Sequence, residues 1–300
     1  MSDKIKSLRS FRFTRKINSI MDKEVSIVKS PLSHEEYDED GTLLLEESWT
    51  ESGALSEKYV YENTGKNRSK QVIYLDDNEI GQTEYYTYNE EGKLLKTIVE
   101  YMDGSQDTIN YSYDDNGNLL SIISIDEDGE QGQAEHWEYE NNNAISYKKI
   151  NDFGNLELEG SWKYNDKGQE IENTQFDAIE EIHSRKTFEY NEDGNVIIES
   201  TYNNKGNLVS EQSYKYDDKG RMILEQNESA KDTFVTLNKF DANGNQIESA
   251  MKNLDTDEII YEVFREFNEK NLVQLSRVIE YSGDNISGGY EIEYEYEFYS

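Results

Sequence analysis

The feature that most constrains this chain is a pair of aromatic residues, spaced two apart, that returns at a fixed interval. It occurs as Tyr59/Tyr61, Tyr86/Tyr88, Tyr111/Tyr113, Trp137/Tyr139, Trp162/Tyr164, Phe188/Tyr190 and Tyr214/Tyr216, with Phe240 as a degenerate eighth member, and the second members lie 24 to 27 residues apart. A register held over that many copies marks a repeat architecture, and the unit is the first thing to identify.

Each pair runs into a turn signal: YNEEGKL from Tyr88, YDDNGNL from Tyr113, YNDKGQE from Tyr164, YNEDGNV from Tyr190, YNNKGNL from Tyr202 and YDDKGRM from Tyr216. Asp or Asn opens such a turn because its side chain accepts a hydrogen bond from backbone two residues on. The Gly takes the positive φ that follows. This is hairpin chemistry with a Gly bulge, and it places turn glycines at Gly92, Gly117, Gly168, Gly194, Gly206 and Gly220. Related turns fall halfway through the period, near Gly53, Gly104, Gly129 and Gly154, so each half-period is one strand and one tight turn.

Between turns the pattern alternates, as a half-buried strand requires. In the last segment Tyr290, Ile292, Tyr294, Tyr296 and Phe298 alternate with Glu291, Glu293, Glu295 and Glu297, giving a greasy face and an anionic one. Glu211 alternates with Tyr214 and Tyr216 in the same way. The one proline, Pro31, precedes the regular array, so no ring interrupts a ladder hydrogen bond beyond it. The fold expected is all-β, with about twenty antiparallel strands in tandem hairpin repeats. Accumulated twist prevents so long a sheet from lying flat, so a curled or spiralled meander is expected, with a five-bladed propeller as the competing arrangement. The aromatic ladder Tyr61, Tyr88, Tyr113, Tyr139, Tyr164, Tyr190 and Tyr216 is expected to pack across neighbouring hairpins as the core. The competing use of such a ladder is as a stacking platform for sugars or single-stranded nucleic acid.

Composition sets the thickness of that core. Only 34% of residues are hydrophobic while the formal net charge is -34, a balance that normally leaves a chain disordered; the 12% aromatic share argues for folding with a thin core instead.

The Y-[DN]-x-x-G-[NKR]-[LMV] run, with its intervening Y-x-Y, resembles the YD repeats of RHS-family proteins, and more loosely the MORN-like repeats of YwqK-type antitoxins, over about residues 37 to 281. In the RHS family such repeats build a β-sheet spiralling into a shell around a toxin domain, so the resemblance implies strand-turn architecture and a binding or enclosing role. There are fewer repeats here than in the family's shells. The expectation is therefore a repeat segment that binds a separate partner.

Residues 1–30 read differently from the repeats at 31–300. Eight basic side chains face three acidic ones, a net of +5 that leaves -39 on the remainder. Ile5, Leu8, Ile17, Ile20 and Met21 show partial three-to-four spacing, which predicts a short amphipathic helix or an irregular segment. It serves either as a cap over the first sheet edge, lying against the acidic body, or as a basic arm for an anionic lipid or nucleic acid.

Catalytic chemistry finds little support. Without Cys there are no disulfides, thiolate zinc sites or thiol nucleophiles. His34, His136 and His183 stand in different repeats, and no GxSxG, HExxH or GxxxxGK[ST] string occurs. Glu36, Asp38, Asp40, Gly41 and Glu47 match the spacing of an EF-hand loop, but the flanks alternate like strands, so the segment is read as an Asp-rich hairpin, as is Asp126 to Glu130. No enzyme activity, cofactor or metal is expected. With no apolar run long enough to span a bilayer and no h-region of a secretory signal, a cytoplasmic location is expected.

A strongly negative field speeds encounter with basic partners and deters polyanions such as nucleic acid. The expected function is non-enzymatic binding that neutralises or holds a basic protein partner, in the manner of an immunity protein or antitoxin. Glu291, Glu293, Glu295, Glu297 and Glu211 are the candidate contact residues. The alternatives are a structural scaffold assembling with an RHS-like chain and a mimic of DNA charge that inhibits a nucleic-acid-binding enzyme.

Overall fold

In the computed structural model, which describes residues 4–17, 25–75 and 79–300, the chain is a succession of antiparallel strands. They are β1 (Ile5–Ile17), β2 (Val25–Tyr37), β3 (Leu43–Trp49), β4 (Leu55–Thr64), β5 (Asn67–Tyr74), β6 (Ile80–Tyr88), β7 (Leu94–Tyr101) and β8 (Gln106–Tyr113). Next come β9 (Leu119–Ile125), β10 (Gln131–Glu140), β11 (Asn143–Ile150), β12 (Leu156–Tyr164), β13 (Glu170–Asp177), β14 (Ile182–Tyr190), β15 (Val196–Asn203) and β16 (Leu208–Tyr216). The last are β17 (Met222–Ser229), β18 (Thr233–Phe240), β19 (Gln246–Asn253), β20 (Glu258–Phe267), β21 (Val273–Ser282) and β22 (Asn285–Phe298). Two compact units divide them, one of residues 1–83 with 235–300 and the other of 84–234.

The turns form as local chemistry dictates. After β8, Asp114 N–H bonds Asn118 O at 2.9 Å and Gly117 N–H bonds Asp114 O at 3.0 Å. The Asp114 carboxylate accepts from the backbone of Asn116 and Asn118 at 2.9 and 2.8 Å. Gly117 sits at φ +88°, where an L side chain is rarely found. A register shift between Ser112 and Tyr113 marks the bulge that accompanies the turn.

All-β and antiparallel hold, but an open meander does not. In the first unit β1 pairs on one side with β2, as Ser7 opposite Glu36, and on the other with β22, as Thr14 opposite Tyr290 and Leu8 opposite Tyr296. The strands belong to one 22-stranded sheet closed at the β1–β22 seam, a barrel rather than a spiral or a set of propeller blades. An open ribbon would leave two terminal strands with rows of unpaired N–H and C=O groups, and pairing them with each other satisfies both. The N-terminal helix is also corrected. Ile5–Ile17 is a strand, because Phe11 and Phe13 alternate with Ser10 and Arg12, and the pull of neighbours on both edges outweighs the partial three-to-four spacing. Ile20 and Met21, on which that helix partly rested, lie outside the described residues.

The core is as thin as the composition requires. The buried apolar residues are Tyr61, Val72, Val99, Ala134 and Val235, and small polar side chains such as Thr97, Ser200, Ser249 and Ser276 occupy comparable depth. The aromatic pairs do not stand on adjacent strands, although Trp137 packs on Tyr147 across the β10–β11 ladder. Their period covers two strands, so Tyr111/Tyr113 on β8, Trp137/Tyr139 on β10 and Trp162/Tyr164 on β12 stand about 10 Å apart, with an odd-numbered strand between. Four of the second rings reach the adjacent odd-numbered strand. The hydroxyls of Tyr113, Tyr164, Tyr190 and Tyr216 donate to the carbonyls of Leu94, Ala144, Glu170 and Val196, at 2.8, 2.8, 2.5 and 2.7 Å. Every acceptor sits at or next to the start of the neighbouring strand, so the ladder staples turns to strands as much as it fills a core. Tyr61 instead donates to Glu46, at 3.0 Å.

Candidate functional site

The acidic row of β22 is anchored by the seam. Glu291, Glu293, Glu295 and Glu297 stand opposite Phe13, Phe11, Arg9 and Ser7 of β1. Lys29 of β2 reaches Glu293 at 3.3 Å and Glu295 at 3.2 Å while lying 4.0 Å from the Phe11 ring centre. Arg277 of β21 binds Glu291 at 2.6 Å. The basic N-terminal segment meets acids elsewhere too: Arg12 binds Glu51 at 2.6 Å and lies over the Tyr290 ring, and Lys4 bonds the Glu39 carbonyl. This row therefore serves closure, and its carboxylates are largely occupied within the chain. Glu211, on β16 of the second unit, accepts from the Ser200 hydroxyl at 3.3 Å and faces Glu228 across the ladder.

Sequence reading missed a polar group on β2–β4. His34 Nδ1 lies 3.1 Å from Glu47, Glu36 is 3.5 Å from Nε2, and Lys58 is 3.1 Å from Glu47. Burial opposes ionisation of Glu47, but His34 and Lys58 outweigh it and hold the carboxyl below its usual range. His34 and Glu47 are thirteen residues apart and meet only through strand register, so no local signal announces them. The EF-hand coincidence dissolves here: Asp38 caps a hairpin by accepting from Asp40 and Thr42 N–H, and Glu47 is bound to His34 and Lys58. His183 stacks on Phe176 at 4.1 Å, and His136 faces Lys148 across the β10–β11 ladder. Among the described residues no group of three metal-ligating side chains converges.

In the second unit a groove of about 350 Å³ is lined by Tyr147, Leu158, Gly160, Trp162, Asn173 and Lys186. Gly160 lets the Trp162 ring lie close against its backbone; a Cβ there would stand 3.2 Å from the ring. Trp137 tilts against Tyr147 at 5.1 Å, and the Tyr147 hydroxyl donates to Glu135 at 2.9 Å. Lys186 is engaged by Glu199 at 2.6 Å.

The acid excess is displayed at the turns. Strand-face cations are taken up in cross-strand pairs such as Lys163–Glu172, Arg185–Glu172 and Lys239–Glu248. Exposed turns carry Asp115, Glu127, Asp128, Glu192, Asp193 and Asp218. Such a surface attracts cations.

No helix among the described residues is long and apolar enough to cross a membrane. No family model matches the sequence, and no characterised protein matches it. Among solved structures the chain is similar to a porin-like protein from Bacteroides uniformis, at 12% identity over 98% of both chains with a TM-score of 0.35. It is also similar to the Tc holotoxin pore of Photorhabdus luminescens, at 11% identity over 92% of this chain and 22% of that one, TM-score 0.33. A TcdB2–TccC3 structure gives 10% identity over 93% and 22%, TM-score 0.31. The chain thus spans about a fifth of the toxin chains it resembles.

Proposed function

We propose that this protein is a non-enzymatic, acidic repeat protein that binds a basic protein partner and neutralises or holds it. The observation that carries the reading is where the charge resides. Sixty-four acidic side chains outnumber 30 basic ones, and cations on the strand faces are drawn into cross-strand pairs, so the surplus carboxylates stand on exposed turns. A field of that sign and size accelerates encounter with a cationic surface and penalises polyanions. The RHS/YD kinship suggested by the turn motifs and a cytoplasmic location belong to the same reading. The scaffold alternative is weakened by the seam, since β1 and β22 satisfy each other and leave no terminal edge for a companion chain.

The test is titration calorimetry against the basic products of adjacent genes at low and high salt. Tight binding that weakens steeply with salt supports the reading; salt-insensitive binding, or none to any basic partner, defeats it.

A further inference from the structure

The second unit presents two rims of turns, and they differ in a way that hairpin chemistry does not require. On one rim lie the turns after β8, β10, β12, β14 and β16, with tips such as Asp115, Asn142, Asp166, Glu192 and Asp218. On the other lie the turns after β7, β9, β11, β13 and β15. Here Met102 is 58% exposed, Phe153 88% and Ile179 73%, at the turns after β7, β11 and β13, and Ile182 is 51% exposed where β14 begins; the turns after β9 and β15 have polar tips.

Phe153 and Lys167 show that folding is not the reason. They hold the same position in equivalent turns: Phe153 N–H donates to Asn151 Oδ1 at 3.0 Å and Lys167 N–H to Asn165 Oδ1 at 2.9 Å, with Gly154 and Gly168 both at φ +76°. A lysine serves the turn as well as a phenylalanine does. Large apolar side chains held in water at three hairpin tips of one rim mark a contact surface. Turns two strands apart are spaced about 10 Å along the sheet, so the row suits an extended partner surface rather than a small molecule.

We propose that this apolar-tipped rim is the docking surface for the basic partner, which meets it with an apolar centre ringed by Lys and Arg. The inference rests on the function proposed above and assigns its contact site. Charge selects the occupant. Asp103 adjoins Met102, Asp152 adjoins Phe153, and Glu180 and Glu181 lie between Ile179 and Ile182; the turn after β9 adds Glu127 and Asp128. Within these five turns Lys205 is the one basic residue. A second copy of this chain or an anionic bilayer carries the same sign and is repelled, whereas a cationic protein surface gains both contacts at once, apolar at the middle and charge-paired at the edge.

The test compares wild type with the double variant Phe153→Ser/Ile179→Ser, both tip positions being exposed, and with Asp166→Asn on the opposite rim. Thermal melts verify that each is folded. Two probes are used at low salt, an amphipathic Lys/Leu peptide and an oligolysine of equal charge. The rim variant is expected to lose roughly tenfold or more in affinity for the Lys/Leu peptide while oligolysine binding stays unchanged, and Asp166→Asn is expected to bind both as wild type does. Equal affinity of wild type and rim variant for the Lys/Leu peptide overturns the docking site while leaving the charge-based function standing. Failure of oligolysine to bind wild type sinks that function itself, and the docking site with it. Uptake by phosphatidylcholine vesicles, or concentration-dependent self-association in light scattering, either one abolished in the rim variant, overturns the choice of occupant.

Discussion

Gly289 on β22 offers a sharp test of how the seam region is built. Its φ is +140°, and a Cβ there would stand 2.3 Å from the carbonyl oxygen of Val278 on β21. Gly53, between β3 and β4, also has positive φ, +83°, but a Cβ there meets nothing within 4 Å. Gly53→Ala carries only the left-handed penalty of about 1 to 2 kcal/mol, offset by about 0.4 to 1 kcal/mol from the stiffer unfolded chain, for a net near 1 kcal/mol. Gly289→Ala adds displacement of a ladder carbonyl, which costs about one hydrogen bond, ~1 kcal/mol, and further backbone strain of about 1 to 3 kcal/mol. The net expectation is about 4 kcal/mol, so two chemically identical substitutions should differ by about 3 kcal/mol. Urea unfolding followed by tryptophan fluorescence reads both midpoints. Equal midpoints, or Gly53→Ala being the worse, would refute the close packing of β22 on β21.

Three further outcomes are expected. Burial, reinforced by the Glu199 and Glu225 carboxylates, pushes Tyr214 up to about 12, and burial together with Glu46 and with Glu135 raises Tyr61 and Tyr147 as well. A raised phenol stabilises the fold fully below the ordinary value near 10, and that contribution is lost as pH rises through the folded value; absorbance titration should show a late phenolate fraction appearing with unfolding, and all tyrosines ionising together near their ordinary value in a folded protein would disprove it. The Asn245 side chain, with the backbone of Asn245, Asn243 and Gly244, holds the Asp241 carboxyl below its usual range, so its contribution is present above the unfolded value and fades as pH falls through the depressed one; melts should rank wild type close to Asp241→Asn, which keeps the accepting oxygen as Asn165 does in its own turn, and both above Asp241→Ala. Lys29→Glu sets a third carboxylate against Glu293 and Glu295 and should lower the melting temperature in low salt with recovery as salt screens the repulsion, an effect absent if the seam does not depend on that cation.

The turns were legible because their determinants are local. Asp114, Asn116, Gly117 and Asn118 lie within five residues and make nearly all the turn's bonds among themselves. The strand faces were only partly legible: period two separates the Tyr290 row from the Glu291 row, yet the cation that claims Glu293 is 264 residues away at Lys29, and no window of sequence joins them. Closure was illegible for the same reason. Phe11 and Phe13 become strand residues by lying between β2 and β22, whereas read alone Ile5, Leu8 and Ile17 suggested a helix. The rings were legible by face but not by partner: a repeat of two strands places like residues on alternate strands, and the hydroxyl-to-carbonyl bonds of Tyr113, Tyr164, Tyr190 and Tyr216 run to adjacent strands that the repeat period skips.

The seam has a consequence for how the molecule is made. Tyr299 N–H bonds the Lys4 carbonyl at 3.0 Å and its hydroxyl bonds the Tyr37 carbonyl at 2.5 Å, so residues just after β22 are held by those just before β1 and at the end of β2. β1 is synthesised long before β22, and its outer edge has no mate until β22 leaves the ribosome, which makes closure the slow, long-range event of folding.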